Sequence, residues 1–436
     1  MVAEPSNPQS SDMKTLAIIG TGIAGLGCAY FLHERFEITV FEQHSHLGGH
    51  TNTVSVREDG RDVPIDTGFM VFNKTTYPNL TRLFRELDVA IKPASMSFSV
   101  QHRPTGLEYN GSSLNLLFGR RRNLVNLRYW RMLLQIRRFN AEAMAALSDP
   151  KFSEYSLRQY VTDRGYGEDM LNLYLIPMSS AVWSTPPELM LEFPAITLLR
   201  FWHNHGFLGL HTQHPWFTVV NGSRSYVEKI SAPWRDRVKL QSKATAVNRT
   251  AQSATVTLAD GSSQTFDKVI LACHADQAHR LLDDPTELED RLLRQFRYHP
   301  NAATLHTDAS VMPQTRRCWA SWNYRIDLAR DGKIVPTTHY WMNSLQDVSE
   351  KQDYFVSLNS DDRVADDKVL KRIEYEHPVF NLPAIAAQKE LPTLNRLSSD
   401  QTTYYAGAWF KYGFHEDGFT SALECARAVT GEPLWT

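Results

Sequence analysis

The sequence predicts an α/β chain in which a Rossmann-type nucleotide-binding domain, assembled from both ends of the 436 residues, is interleaved with an α+β second domain. Three observations predict it. Near the N-terminus a strand, a Gly-x-Gly-x-x-Gly turn, a helix and a second strand ending in an acid follow one another. A strand-rich stretch returns after a long helical one. A strand, a glycine loop and a helix close the chain. The length is too great for one hydrophobic core, so two interleaved domains are expected.

The first element is a short buried strand from Lys14 to Ile19, and Gly20-Thr21-Gly22-Ile23-Ala24-Gly25 follows it directly. Leu26 to Glu34 continues as a helix. Glu37 to Phe41 is a second strand, ended by Glu42 and Gln43. Gly20 permits the tight turn, Gly22 lets the backbone approach a pyrophosphate, and Gly25 lets the helix pack on the strand. The helix N-terminus offers free N–H groups to phosphates. Glu42 suits a ribose diol, and its charge repels a 2′-phosphate. These residues are candidate cofactor ligands, and the motif alone leaves NAD and FAD both open.

Gly48-Gly49, followed by His50 and Thr51, allows a second backbone approach to a diphosphate. Val63 to Gly68 ends a strand in Asp66-Thr67-Gly68, with Phe69 next. Tyr77 to Leu87 has helical apolar spacing. Beyond it the chain is irregular, then largely helical from about Asn115 to Thr197. Strands resume at Val238 to Val247, Ala254 to Leu258 and Phe266 to Ala272, with Asp260-Gly261 as a hairpin turn. Aromatic-rich segments at Trp319 to Tyr324 and Thr338 to Asn343 lie in mixed structure. Thr402 to Ala406 is the last strand, and a helix is expected from Phe419 to Val429. The expected division is therefore 14–95, 216–282 and 398–436 for the nucleotide domain, with 96–215 and 283–397 for the second domain.

The pairing of Gly48-Gly49 with Asp66-Thr67-Gly68 resembles the extended FAD signature of the flavin-dependent amine oxidase and phytoene desaturase superfamily. His50 stands where that signature usually has Arg. The resemblance implies an amine-oxidase-type fold with dissociable FAD. It also implies that the returning strand touches the adenine through Ala246 and Val247. A second glycine site at Gly407, Asp417, Gly418 and Phe419 would lie at the flavin, where the N–H groups of a helix N-terminus stabilise charge on the reduced ring.

Further stretches, among them Asn221 to Tyr226, Leu271 to Asp276, Ser321 to Tyr324, Tyr340 to Asn343 and Gly413 to Gly418, are similar to a branch of NAD/FAD-binding flavoproteins. That branch resembles the flavoprotein half of plant cyclopropane fatty-acid synthases. It implies fatty-acyl lipid modification beside a lipid methyltransferase partner.

No GxSxG or HExxH is present, so the chemistry expected is the cofactor's: hydride transfer from substrate to flavin. His415, Tyr412 and Trp341 are the catalytic candidates, His415 as acid or base and the aromatics, with Trp409, as an apolar wall. Glu416 and Asp417 read as caps of the final helix. Three functions follow: an oxidase or desaturase of an apolar, acyl substrate; an amine oxidase; or a non-catalytic flavoprotein partner of a lipid methyltransferase.

Between Tyr109 and Ala141 there is no acid, while seven arginines alternate with Leu, Tyr and Trp. Residues 118–138 are thus either a helix with a solvated arginine face or a peripheral membrane contact. His203, His205, His211 and His214 invite a metal, but no acid or cysteine spacing accompanies them, and none is expected. Lys+Arg of 46 against Asp+Glu of 48 argues against nucleic acid. Four scattered cysteines, Cys28, Cys273, Cys318 and Cys425, read as reduced, and Cys425 as packing. The polar lead-in, Met1 to Met13, reads as disordered and holds no apolar leader. A cytoplasmic chain is expected, peripheral at most to the inner face of a membrane.

Overall fold

The computed structural model describes residues 13–209, 212–329, 331–360, 362–397 and 401–435. The lead-in over residues 1–12 and His211 lie outside the described residues.

A five-stranded parallel sheet is drawn from three distant parts of the chain. Its order is Val238–Lys239, Glu37–Phe41, Thr15–Ile19, Lys268–Leu271, Thr403–Tyr405. Ile18 pairs with Val40 on one side and Ile270 on the other. Leu16, Ala17, Ile18, Val269, Ile270 and Leu271 are wholly buried. Continuous apolar runs of this kind belong to parallel strands covered on both faces.

The stretch from Val238 to Val247, expected as one strand, is two. The chain leaves the parallel sheet at Gln241, whose φ of 53° turns it sharply, and Ser242 N–H donates to the Glu42 carbonyl. Ala244–Arg249 then opens an antiparallel sheet with Ala254–Leu258 and Ser263–Phe266. The Asp260-Gly261 hairpin forms, with Gly261 at φ +84°.

The second domain is built on a seven-stranded sheet. Its order is Val369–Val379, Arg297–His306, Phe355–Leu358, Ile334–Trp341, Trp322–Leu328, Phe98–His102, Leu107–Asn110. The irregular stretch before residue 115 thus supplies two of its strands. Phe98–His102 joins in parallel to Trp322–Leu328, a pairing across more than two hundred residues. The helices between Leu114 and Asn204 cover this sheet, and Tyr109 Oη donates to the Leu173 carbonyl at 2.6 Å. At Met342 the strand from Ile334 turns directly into a short helix, Met342–Gln346.

The closing helix runs His415–Thr430, starting four residues before the predicted Phe419. It lies parallel to the glycine-loop helix, Ile23–Leu32. Gly418 meets Ile23, Gly27 meets Ala422, and Cys28 Sγ faces the Ala422 carbonyl. Cys28 and Cys425 are both buried in this contact.

Candidate active site

Because the two helices run side by side in the same direction, their N-termini end at one place. Each contributes orphan N–H groups and the positive end of its dipole. Gly22 precedes the first helix with no capping side chain, and a Cβ added there would meet nothing within 4 Å. The Gly48-Gly49 loop is folded onto the same spot. A Cβ on Gly49 would lie 3.1 Å from Gly22 Cα, and Gly48 takes φ +114°. Two side-chain-free backbones therefore face each other at a helix N-terminus, as a diphosphate requires. Gly25 could not be anything else, since its Cβ would fall 1.9 Å from the Gly20 carbonyl oxygen.

Glu42 is buried at the end of its strand. Its carboxylate accepts from Thr21 N–H at 3.1 Å, from the Thr21 hydroxyl, and from His44 N–H at 2.8 Å. Gln43 is exposed beside it and meets only His44. Ile23 and Ala24 form the buried first turn of the helix. Val247 is wholly buried in the antiparallel sheet, bridged to Leu282.

His415 occupies the first turn of the closing helix. Its ring stacks on Phe69 with centroids 3.7 Å apart and planes at 13°. Nε2 lies 2.8 Å from Thr51 Oγ1 and 3.1 Å from Tyr226 Oη, and those two hydroxyls are 2.6 Å from each other. Burial, with His50 nearby, drives the imidazole pKa well below its ordinary value, so the ring is neutral. Tyr226 is wholly buried, and burial raises its phenol. Sequence reading missed Tyr226; the Asn221 to Tyr226 stretch marked the place but not the contact.

His50 is stacked on Tyr375 at 4.8 Å and sits 5.1 Å from His377. Burial lowers its pKa to about 4, and its Nε2 is buried without a hydrogen-bond partner. Buried polar atoms are usually partnered, and this one directly follows the glycine pair.

Asp66 is a buried anchor. It accepts from Ser223 N–H and Oγ, Thr53 Oγ1 and Gln346 Nε2, the last at 2.7 Å. Gln346 returns a contact by accepting from Asp66 N–H at 3.0 Å. Thr67 Oγ1 donates to the Asn52 carbonyl and meets Tyr375 Oη. Gly68 lies on the His50 carbonyl so tightly that a Cβ would be 2.2 Å from that oxygen. The turn thereby aims Phe69 at His415.

Asp417 caps the closing helix, accepting from Phe414 N–H at 3.0 Å, and burial raises its pKa to about 7. Glu416 does something else. It accepts from Asn79 N–H at 3.0 Å and Leu80 N–H at 2.9 Å, capping the neighbouring helix Pro78–Glu86 rather than its own. Gly418 and Phe419 lie inside the helix, so its free N–H groups belong to the turn before them. Gly407 N–H donates to Ser421 Oγ at 2.8 Å, which ties the last strand's exit to this helix.

Tyr412 and Phe414, just before His415 in the chain, belong to a buried aromatic cluster. Phe414 stacks on Phe201 at 5.1 Å, Tyr412 meets Phe201 at 5.7 Å, and Trp183 packs on Phe193 and Phe201 at 4.6 Å each. Trp183 Nε1 donates to the Tyr412 carbonyl. Trp341 is not brought to this group. Side chains alternate along its strand, and Trp341 points to the other face, against Trp319 and Arg316, with Nε1 on Asp353. Trp409 is buried against Phe296 and Phe410.

The other histidines are spread out. His205 lies between the Phe201 carbonyl and Thr76, and His214 meets the Asn204 carbonyl. Among the described residues no group of three or more His, Cys, Asp or Glu could hold a metal ion.

The family model described as flavin containing amine oxidoreductase matches residues 23–354. Wild-type putrescine oxidase bound to putrescine has the same fold at TM-score 0.67 and 14% identity, covering 96% of this chain and 99% of that one. A CLA-producing fatty acid isomerase from P. acnes superimposes at TM-score 0.66 and 13% identity, covering 98% and 100%. Cyclohexylamine oxidase from Brevibacterium oxydans IH-35A does so at 0.66 and 14%, covering 96% and 99%. No curated protein matches the chain in sequence.

Proposed function

The chain belongs to the flavin-containing amine oxidoreductase family and is an FAD-dependent oxidoreductase, and from that premise we propose that its substrate is apolar, a fatty-acyl chain of a lipid. The observation that carries this reading is the aromatic cluster of Trp183, Phe193, Phe201, Tyr412 and Phe414, which leads along the chain into a neutral, buried His415 stacked on Phe69. FAD, when bound, would supply the two-electron acceptor for this C–H oxidation.

The residues that hold FAD in this reading are the facing glycines, Gly22 and Gly48-Gly49, and the two helix N-termini. His50 Nε2 supplies a donor or acceptor in place of the usual arginine. His415, fixed by Thr51 and Tyr226, presents an uncharged ring. An apolar chain beside such a ring meets a smaller desolvation cost than beside an imidazolium. An ammonium substrate would want a free carboxylate, and those around His415 are committed. Asp417 is on Phe414 N–H, Glu416 is on Asn79 and Leu80, and Asp66 is saturated by Thr53, Ser223 and Gln346.

The same fold serves a fatty acid isomerase as well as amine oxidases, so an acyl chain suits the architecture. Putrescine and cyclohexylamine oxidases favour the amine alternative. Anaerobic titration of the FAD-loaded protein separates the two. Phospholipid should bleach the oxidised-flavin band, and polyamines or cyclic amines should leave it intact. Bleaching by amines alone would reverse the assignment.

A further inference from the structure

We propose that the face formed by residues 114–144 docks on an anionic lipid bilayer. Among the described residues, seven of the thirteen exposed large apolar side chains fall in this one segment. Val125 is 85% exposed, Leu127 77%, Leu114 67% and Leu134 61%. A soluble surface scatters such residues singly; a cluster marks a contact.

The geometry is that of a presented face. The long helix Leu127–Leu147 buries Tyr129, Met132, Phe139, Ala143 and Ala146. Leu127, Arg131, Leu134 and Arg137 recur at helical spacing on the opposite side, exposed. Trp130 Nε1 donates to the Leu124 carbonyl at 2.9 Å and its ring packs on Phe118. The preceding turn, Arg121–Val125, is thereby held against the helix with Leu124 and Val125 outward.

Charge decides what covers it. Arg120 is paired with Glu108, Arg128 with Asp169 and Arg138 with Glu142. Arg121 bonds Asn115 and backbone carbonyls only. Arg122, Arg131 and Arg137 are exposed without an acidic partner among the described residues. The chain as a whole carries a formal charge of −2, so this basic surface is local. A second copy related by a two-fold axis would set these arginines against each other. A bilayer offers apolar depth to the leucines and phosphate to the arginines together.

The helix that carries this face packs toward the site on its other, buried side. Phe139 of the long helix packs on Trp202 at 5.8 Å, and the neighbouring Phe201 is the ring that stacks on Phe414. The proposal adds to the acyl-substrate reading but is measured without turnover, so either can fail alone.

The experiment is sedimentation of the FAD-loaded full chain with vesicles of equal parts phosphatidylcholine and phosphatidylglycerol, against phosphatidylcholine alone. Binding to the anionic vesicles, weakened by salt, is expected. R122Q/R131Q/R137Q should lower it on the order of 100-fold, and L127E/L134E should lower it at least about 10-fold. Both variants should keep the flavin spectrum and Tm, since every substituted side chain is exposed. No binding by the parent chain, or variants that bind as well as it does, would overturn the proposal. So would a dimer in solution that L127E/L134E dissolves, because the face would then belong to a protein interface.

Discussion

Asp417 is the titrating group whose environment has the clearest consequence. Its carboxyl is driven up by burial to about 7, from 3.8 in a solvated chain. Between those values the folded protein holds a proton that the unfolded chain has lost. The contribution of Asp417 to stability therefore falls as pH rises through this window and is lost above about 7. The magnitude is a few kcal/mol at most, at roughly 1.4 kcal/mol for each pH step of one between the two values. Asn in its place keeps an oxygen for Phe414 N–H and carries no charge. Asp417→Asn should flatten the dependence of Tm on pH between 4 and 7. An unchanged slope would assign that dependence to other groups. His415 acts with the opposite sign: burial depresses its imidazole well below the ordinary value, so the unfolded chain holds the extra proton and this group makes stability rise with pH.

At the scale of elements, the helix pair depends on Gly418 and Gly27. A Cβ at Gly418 would sit 2.6 Å from Ile23 Cγ2. Gly418→Ala should push the helix N-termini apart, lower stability by about 1–3 kcal/mol and weaken FAD binding. Ile23→Ala removes the obstructing methyl, so the double variant should regain part of both losses. If it does not, the helix contact is not the cause. This pair also shows why the closing helix was misplaced from sequence. Gly418 reads as a breaker, because glycine costs about 1 kcal/mol in a helix. Here it is inside the helix because only a bare Cα lets Ile23 approach. The first nucleotide motif was legible because its three glycines fall in one short stretch between a strand and a helix, although Gly20 also clears the distant Ala272 carbonyl. The pairing of Phe98–His102 with Trp322–Leu328 was not, since nothing in either segment names its partner. Tyr226 was invisible for the same reason: it touches Thr51 and His415, both far away in sequence.

For the whole molecule, the binding domain has no continuous chain of its own, and something must register its pieces. The parallel sheet does part of this by pairing Thr15–Ile19 with Lys268–Leu271 and that strand with Thr403–Tyr405. Asp66 does the rest. It joins the Thr53 hairpin, the Ser223 turn and Gln346 of the second domain through buried hydrogen bonds. Gln346 also donates to Thr218 Oγ1 at 2.8 Å. Removing the carboxylate strands the Ser223 amide and one of the two Gln346 Nε2 hydrogens in the interior. Stranded buried donors cost about 1–3 kcal/mol each. Asp66→Ala should therefore destabilise the fold by roughly 3–5 kcal/mol, the sum over its stranded donors. Since the network spans both domains, flavin release and loss of secondary structure should move down in temperature together, with coincident midpoints by flavin fluorescence and circular dichroism. Flavin released well before the backbone melts would mean that Asp66 shapes the cofactor turn alone, and that the two domains are held in register by the sheets.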